Sequence, residues 1–277
     1  MQAAKSTQFS SSHCFVKKMK KCISQIYEIQ TPLEAMAAIA AGVDHIGSVV
    51  ISSANWKIPS IRKTIQRVAQ TPAKSSLILL YNQPELVCES LAYYQPDLVH
   101  FCENLVDGRS AESLEVGCRP MVSLQKRIRA DFPKIKIMRT IPIPDTISSS
   151  AIPFLELAKL FEPVSDYFLT DTLIKEAAGA NEQPVDGFVG ITGKTCDWTA
   201  ARKLVNVSRI PIILAGGLSA GNVYAAIQAV RPAGVDSCTL TNAIDSNGKP
   251  IRFQKDFAKV AKFVTEAKRA ESDFLLR

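Results

Sequence analysis

Three segments of this chain place reactive or anion-binding groups beside predicted strand ends or glycines. The run YFLTDT (167–172) ends a series of β-formers on Asp171. A carboxyl at the end of a strand, screened from water, has a raised pKa and can serve as a general acid, while an Asp that only caps backbone is the plainer alternative. The run IILAGGLSAGN (212–222) sets Gly216 and Gly217 between an apolar stretch and a helical pattern starting near Ser219. Exposed backbone N–H groups at such a junction suit a phosphate, although the same glycines would also serve a tight turn. In GVDSCTLTNA (234–243), Cys238 and Thr239 are small and polar enough to complete that site.

A long connection from Thr172 to Thr195 ends in GITGKTCDW. Its Gly193-Lys194-Thr195 is not a nucleotide-binding P-loop, which needs a glycine at 188, where Phe188 stands. With Gly193 and Lys194 it suits a lid over an anionic substrate, or a plain surface loop. Arg139, at the end of a fifth strand-like run, and His100, inside a fourth, are polar groups in otherwise apolar stretches. Each is open to a substrate contact or a structural hydrogen bond.

These groups need a scaffold that gathers strand ends. β-branched runs at Ile23–Ile29, Asp44–Ile51, Ser75–Tyr81, Asp97–Glu103, Lys134–Thr140, Asp166–Thr170, Ile210–Ala215 and Gly234–Thr239 alternate with helical patterns near 31–42, 59–70, 84–94, 111–130, 151–161, 197–206, 219–230 and 253–272. The helical pattern at 31–42 opens on Thr31 with Glu34 three residues on, a capping box, and Gly42 closes it. SLILL and PIILA are continuously apolar, as strands covered on both faces are. This count and spacing predict a single-domain (β/α)8 barrel over 23–277, a fold of about 250 residues whose chemistry sits at the C-terminal strand ends. A doubly wound sheet would need a glycine-rich turn after the first strand, and EIQTPLEA (28–35) has none.

Composition narrows the function class. Hydrophobic residues make up 47% and charged residues 21% of the 277, the balance of a globular protein. The net charge of +7 is concentrated at the start, where residues 1–27 carry five lysines and no acid. The remainder is close to neutral, which argues against nucleic acid as a partner. Residues 1–22 read as a basic arm, disordered or preceding a later start at Met19, with a targeting segment as the other possibility. No apolar run approaches the ~18 residues that cross a bilayer. Seven scattered cysteines and three histidines form neither a disulfide framework nor a zinc motif, so free thiols in the cytoplasm and no metal are expected.

In order and spacing, TPLEAMAAIAAGVDHIG (31–47), PDLVHF (96–101), YFLTDT, GKTCDW and ILAGGLSAGNVYAAIQAVRPAGVD (213–236) resemble the phosphoribosylanthranilate isomerase family of tryptophan biosynthesis. The resemblance implies an Amadori rearrangement of an N-phosphoribosyl aminoaldose to an aminoketose, without cofactor, on a monomer or homodimer that binds a small phosphorylated sugar. It gives the general acid of an L-L-D-T motif to Asp171. The family's base is the Cys of a K-I-C-G strand, which aligns with Gln25-Ile26-Tyr27-Glu28, so Tyr27 holds the base position and Glu28 is the possible substitute. The family's Q-L-H-G becomes His100-Phe101-Cys102-Glu103, and the Arg for the anthranilate carboxylate falls near Trp56 with Lys57 beside it. Its S-S-G becomes Cys238-Thr239-Leu240, and one glycine of G-G-[ST]-G becomes Ile191. A phosphosugar-binding barrel with another aglycone or reaction, or an inactive binding subunit, is the alternative.

Overall fold

A computed structural model describes residues 21–106, 113–145, 152–173, 187–190 and 192–275. Among them, parallel strands β1 (Ile23–Ile26), β2 (His45–Val50), β3 (Lys74–Leu79), β4 (Leu98–Phe101), β5 (Lys136–Pro144), β6 (Tyr167–Leu173), β7 (Ile212–Leu214) and β8 (Gly234–Ser237) pair in chain order, and β8 closes onto β1. Helices α1 (Pro32–Ala40), α2 (Pro59–Val68), α3 (Pro84–Tyr94), α4 (Leu114–Asp131), α5 (Phe154–Phe161), α6 (Trp198–Val207), α7 (Val223–Val230) and α8 (Phe257–Leu275) follow them in alternation. The expected (β/α)8 barrel is the fold observed. None of the described helices is long and apolar enough to cross a membrane.

Local chemistry explains much of the framing. Thr31 Oγ1 accepts from the Glu34 N–H, and the Glu34 carboxylate accepts in return from the Thr31 N–H at 2.9 Å, so the capping box predicted for α1 is formed. Gly42, with φ +93°, takes the left-handed position beyond it. At the N-terminal face of the barrel a device repeats on alternate strands. Asp44, Asp97 and Asp166 accept from the backbone N–H of Ser24, Ser75 and Ile137, and each pairs with a lysine, Lys21, Lys74 or Lys136. These aspartates join neighbouring strands far from the mouth and belong to stability.

Several boundaries differ from the sequence reading. The first strand stops at Ile26 because Glu28 turns to φ +63°, outside the strand region. The fifth runs on to Pro144: past Arg139 it has no partner on the β4 side, and an open side tolerates Pro142 and Pro144. The last helix begins at Phe257 rather than near 253, because β10 (Pro250–Lys255) pairs antiparallel with β9 (Asn242–Ile244). Cys22, assigned to the arm, is buried in the core between barrel and helices, while residues 1–20 lie outside the described residues.

Candidate active site

At the C-terminal strand ends two cavities meet. The deeper spans about 590 Å³, its opening to solvent included, under Val49, Ile78, Leu80, Leu169, Phe188 and Val189, with Tyr27, Glu28, His100 and Cys102 also in its wall. The shallower, about 330 Å³, is walled by Thr192–Gly193, the Ala215–Leu218 turn and Ser237–Leu240. Asp171, Asp236 and Cys238 line both.

The shallow cavity owes its shape to glycine. Gly216 and Gly217 have φ of +91° and +57°, and a Cβ on Gly217 would stand 2.6 Å from the Lys194 carbonyl carbon and 2.7 Å from the Thr195 nitrogen. The turn is tied by Asn222, which accepts from the Ser219 N–H at 2.8 Å and donates to the Gly217 carbonyl at 2.9 Å. That turn occupies 219–222, so α7 starts at Val223 rather than near Ser219, and loop backbone faces the cavity. Thr239 and Cys238 close the opposite wall. Lys194 is exposed, and its carbonyl accepts from Thr172 Oγ1 at 2.7 Å.

Asp171 ends the inward face of β6. Burial pushes its carboxyl up to about 6, against the opposing pull of the Thr172 N–H, which donates to it at 2.8 Å. The loop lies directly over it: a Cβ on Gly190, φ +127°, would approach Asp171 Oδ2 to 2.6 Å. Asp236 faces it from β8. Burial, opposed by a hydrogen bond from Gln25 Nε2 at 3.1 Å and reinforced by the Asp171 charge, raises Asp236 to about 7. Gln25 in turn meets His45 Nδ1 at 3.1 Å, and burial lowers His45 to about 4, so this ring is neutral.

Tyr27 fills the barrel interior where a smaller side chain would leave a hole. It fits because β2 carries Gly47 opposite, whose Cβ would fall 2.2 Å from the Tyr27 ring. Its hydroxyl lies 2.7 Å from both Ser76 Oγ and His100 Nδ1, and His100 Nε2 lies 2.8 Å from Thr140 Oγ1. Burial holds the phenol well above its ordinary value and lowers His100 to about 3, so both are uncharged. Glu28 lines the deep cavity but is engaged elsewhere. Burial alone would raise it, yet Asn242, Lys255, the Phe253 N–H and Arg252 together pull it below the ordinary carboxylate range, with Arg252 Nε at 2.8 Å.

Three expected contacts stand outside both cavities. Arg139 is in the middle of β5, not at its end, and points outward to α4, where its Nε donates to Gln125 at 2.8 Å and its guanidinium pairs with Glu103. The ring of Trp56 packs edge-on against Tyr93 of α3 at 5.6 Å, and Lys57 lies over that ring. Ile191 and most of the 172–195 connection lie outside the described residues. Asp236 and Gly190 were missed by sequence reasoning. The motif GVD held the first in plain view, but only the phase of β8 turns its side chain inward.

A model of the family described as N-(5'-phosphoribosyl)anthranilate isomerase matches residues 147–266, the part holding β6, β7 and β8. The chain is 27% identical over 229 residues to the N-(5'-phosphoribosyl)anthranilate isomerase of Methanocella arvoryzae, covering 82% of this chain and 92% of that protein. It is 40% identical over 141 residues to isomerase 2 of Methanosarcina mazei, about half of each chain (51% and 53%). The phosphoribosylanthranilate isomerase structure from Thermotoga maritima superposes with a TM-score of 0.61 at 20% identity, covering 90% of this chain and all of that one. With the closed barrel and the motif order, these likenesses make the chain similar to the phosphoribosylanthranilate isomerases over most of its length.

Proposed function

We propose that the protein is a phosphoribosylanthranilate isomerase-type enzyme of tryptophan biosynthesis, acting in the cytoplasm as a monomer or homodimer on a small phosphorylated sugar. Asp171 protonates the ribose ring oxygen, the C1–oxygen bond opens, and loss of the C2 proton converts the aminoaldose to an aminoketose. The observation that carries this reading is the position of Asp171 on the wall common to a glycine-lined cavity and an apolar one. A phosphate in the first and an aromatic ring in the second would hold the ribose between them, over that carboxyl.

Fluorescence-monitored turnover of freshly made phosphoribosylanthranilate tests it. Formation of the carboxyphenylamino-deoxyribulose phosphate is the expected result, and its absence with folded protein overturns the reading. In the same assay Gly217→Ala should raise KM, and the inhibition constant of inorganic phosphate, by about tenfold or more. The added methyl cannot keep the +57° backbone without strain and meets the 193–195 backbone, displacing donors that are each worth ~1.5–3 kcal/mol to a charged group. Unchanged phosphate inhibition would place the anion elsewhere.

A further inference from the structure

The Amadori reaction needs a base for the C2 proton as well as an acid, and the group at the base position of β1 is the neutral, buried phenol of Tyr27. If the ribose lies between the cavities, its reacting carbons face the shared wall. Among the described residues that wall consists of Asp171, Asp236 and Cys238. Cys238 is a poor base because burial raises its thiol far above neutrality. Glu28 is held by Asn242, Arg252 and the Phe253 N–H, so its lone pairs are turned to structural donors. Asp236 remains, on the strand that pairs directly with β1, with Gln25 fixing one carboxylate oxygen.

We infer that Asp236 is the general base of this enzyme, so that both proton transfers belong to a pair of carboxyl groups on β6 and β8. The inference rests on the isomerase reading above. Asp171, protonated, gives its proton to the ring oxygen as the C1–oxygen bond breaks and the nitrogen lone pair forms the C1–N double bond. Asp236, ionised, takes the C2 proton, and the released electron pair forms the C1–C2 double bond of an enolamine. That enolamine accepts a proton at C1 from Asp236 while its C2 hydroxyl returns one to Asp171. Both carboxyls end as they began, and no co-reactant is consumed.

The surroundings suit such sharing. The groups facing Asp236 are Asp171 from β6, Gln25 from β1 and Tyr27 just beyond it, neutral His45 beyond Gln25, Cys238 just past its own strand and the Lys255 ammonium from β10. Two carboxyls in one enclosed wall resist ionising together and titrate as a coupled pair, and the singly protonated form with its proton on Asp171 is the one that has this acid and this base at once.

The test measures turnover and the C2 step separately. Asp236→Asn keeps the shape and the Gln25 contact, and should lower kcat by about 10³-fold while the inhibition constant of inorganic phosphate stays within about twofold. Washout of deuterium from C2-deuterated phosphoribosylanthranilate should cease in the same variant. In Gln25→Lys, a cation beside Asp236 should move the acidic limb of the kcat/KM profile down by about one pH unit or more, a shift that a purely structural aspartate would not cause. If the wild type turns over and Asp236→Asn keeps a tenth of its kcat, the inference is overturned and the isomerase reading stands. It is equally overturned if Tyr27→Phe, Glu28→Gln or Cys238→Ala stops the C2 exchange and Asp236→Asn does not. A wild type without turnover removes the isomerase reading itself.

Discussion

Asp171→Asn is expected to lower kcat/KM for phosphoribosylanthranilate by about 10²–10⁴-fold while leaving the barrel intact, the effect of removing a positioned general acid. Burial is what raises this carboxyl towards neutrality. Raising it from an ordinary ~4 to about 6 multiplies its protonated fraction at pH 7 by roughly 100. The same shift carries a stability cost whose sign can be checked. A folded pKa above the unfolded one means the native state binds the proton more tightly. The group's contribution is therefore full below about pH 4 and is lost as pH rises through about 6. An amide cannot ionise, so Asp171→Asn should melt at or above the wild type at pH 8 while catalysing poorly. Turnover within tenfold of wild type would remove Asp171 from the chemistry, and a large fall in Tm would mean that the loss reflected folding.

Glu103→Leu is expected to lower Tm by roughly 10 °C, the second large effect. Its carboxylate is the partner of Arg139, whose guanidinium is fully buried between Phe101 and Phe161 and donates to Gln125. Removing one member of a buried pair leaves an uncompensated charge, at about 3–5 kcal/mol, or ~2–4 °C per kcal/mol in a domain of this size. The double variant Glu103→Leu with Arg139→Met should regain most of that loss, since replacing such a pair by apolar groups is often neutral or stabilising. Thermal melts of the single and double variants form the required cycle. Because Arg139 faces α4 and not the mouth, Arg139→Met should leave KM near wild type wherever the protein is folded. A KM raised tenfold or more would restore Arg139 as a substrate contact.

Most of the scaffold was legible along the chain, because its signals are local. The capping box of Thr31 and Glu34, Gly42 beyond α1 and the apolar runs of β3 and β7 follow from hydrogen-bond geometry and burial within a few residues. The hairpin of β9 and β10 escaped notice since Pro250–Lys255 adjoins a strong helical pattern, and its alternation had no visible partner. Asp171 could be singled out from sequence because it lies near the end of an apolar strand and within a recognisable motif.

What the chain determined by itself was the alternation of eight strands with eight helices and the glycines of the turn at 216–217, since spacing and backbone freedom are properties of short segments. Which side chains face inward was decided only by closure of the barrel. A strand's period of two says that Gln25 and Tyr27 share a face, and equally that Met138 and Thr140 share the one opposite to Arg139, but it leaves the phase unassigned. Pairing of β8 with β1 and of β4 with β5 set that phase, turning Asp236 into the mouth beside Asp171 and Arg139 out towards α4. Tyr27 met Gly47, Ser76 and His100 for the same reason: contacts between strands exist only once the sheet has closed.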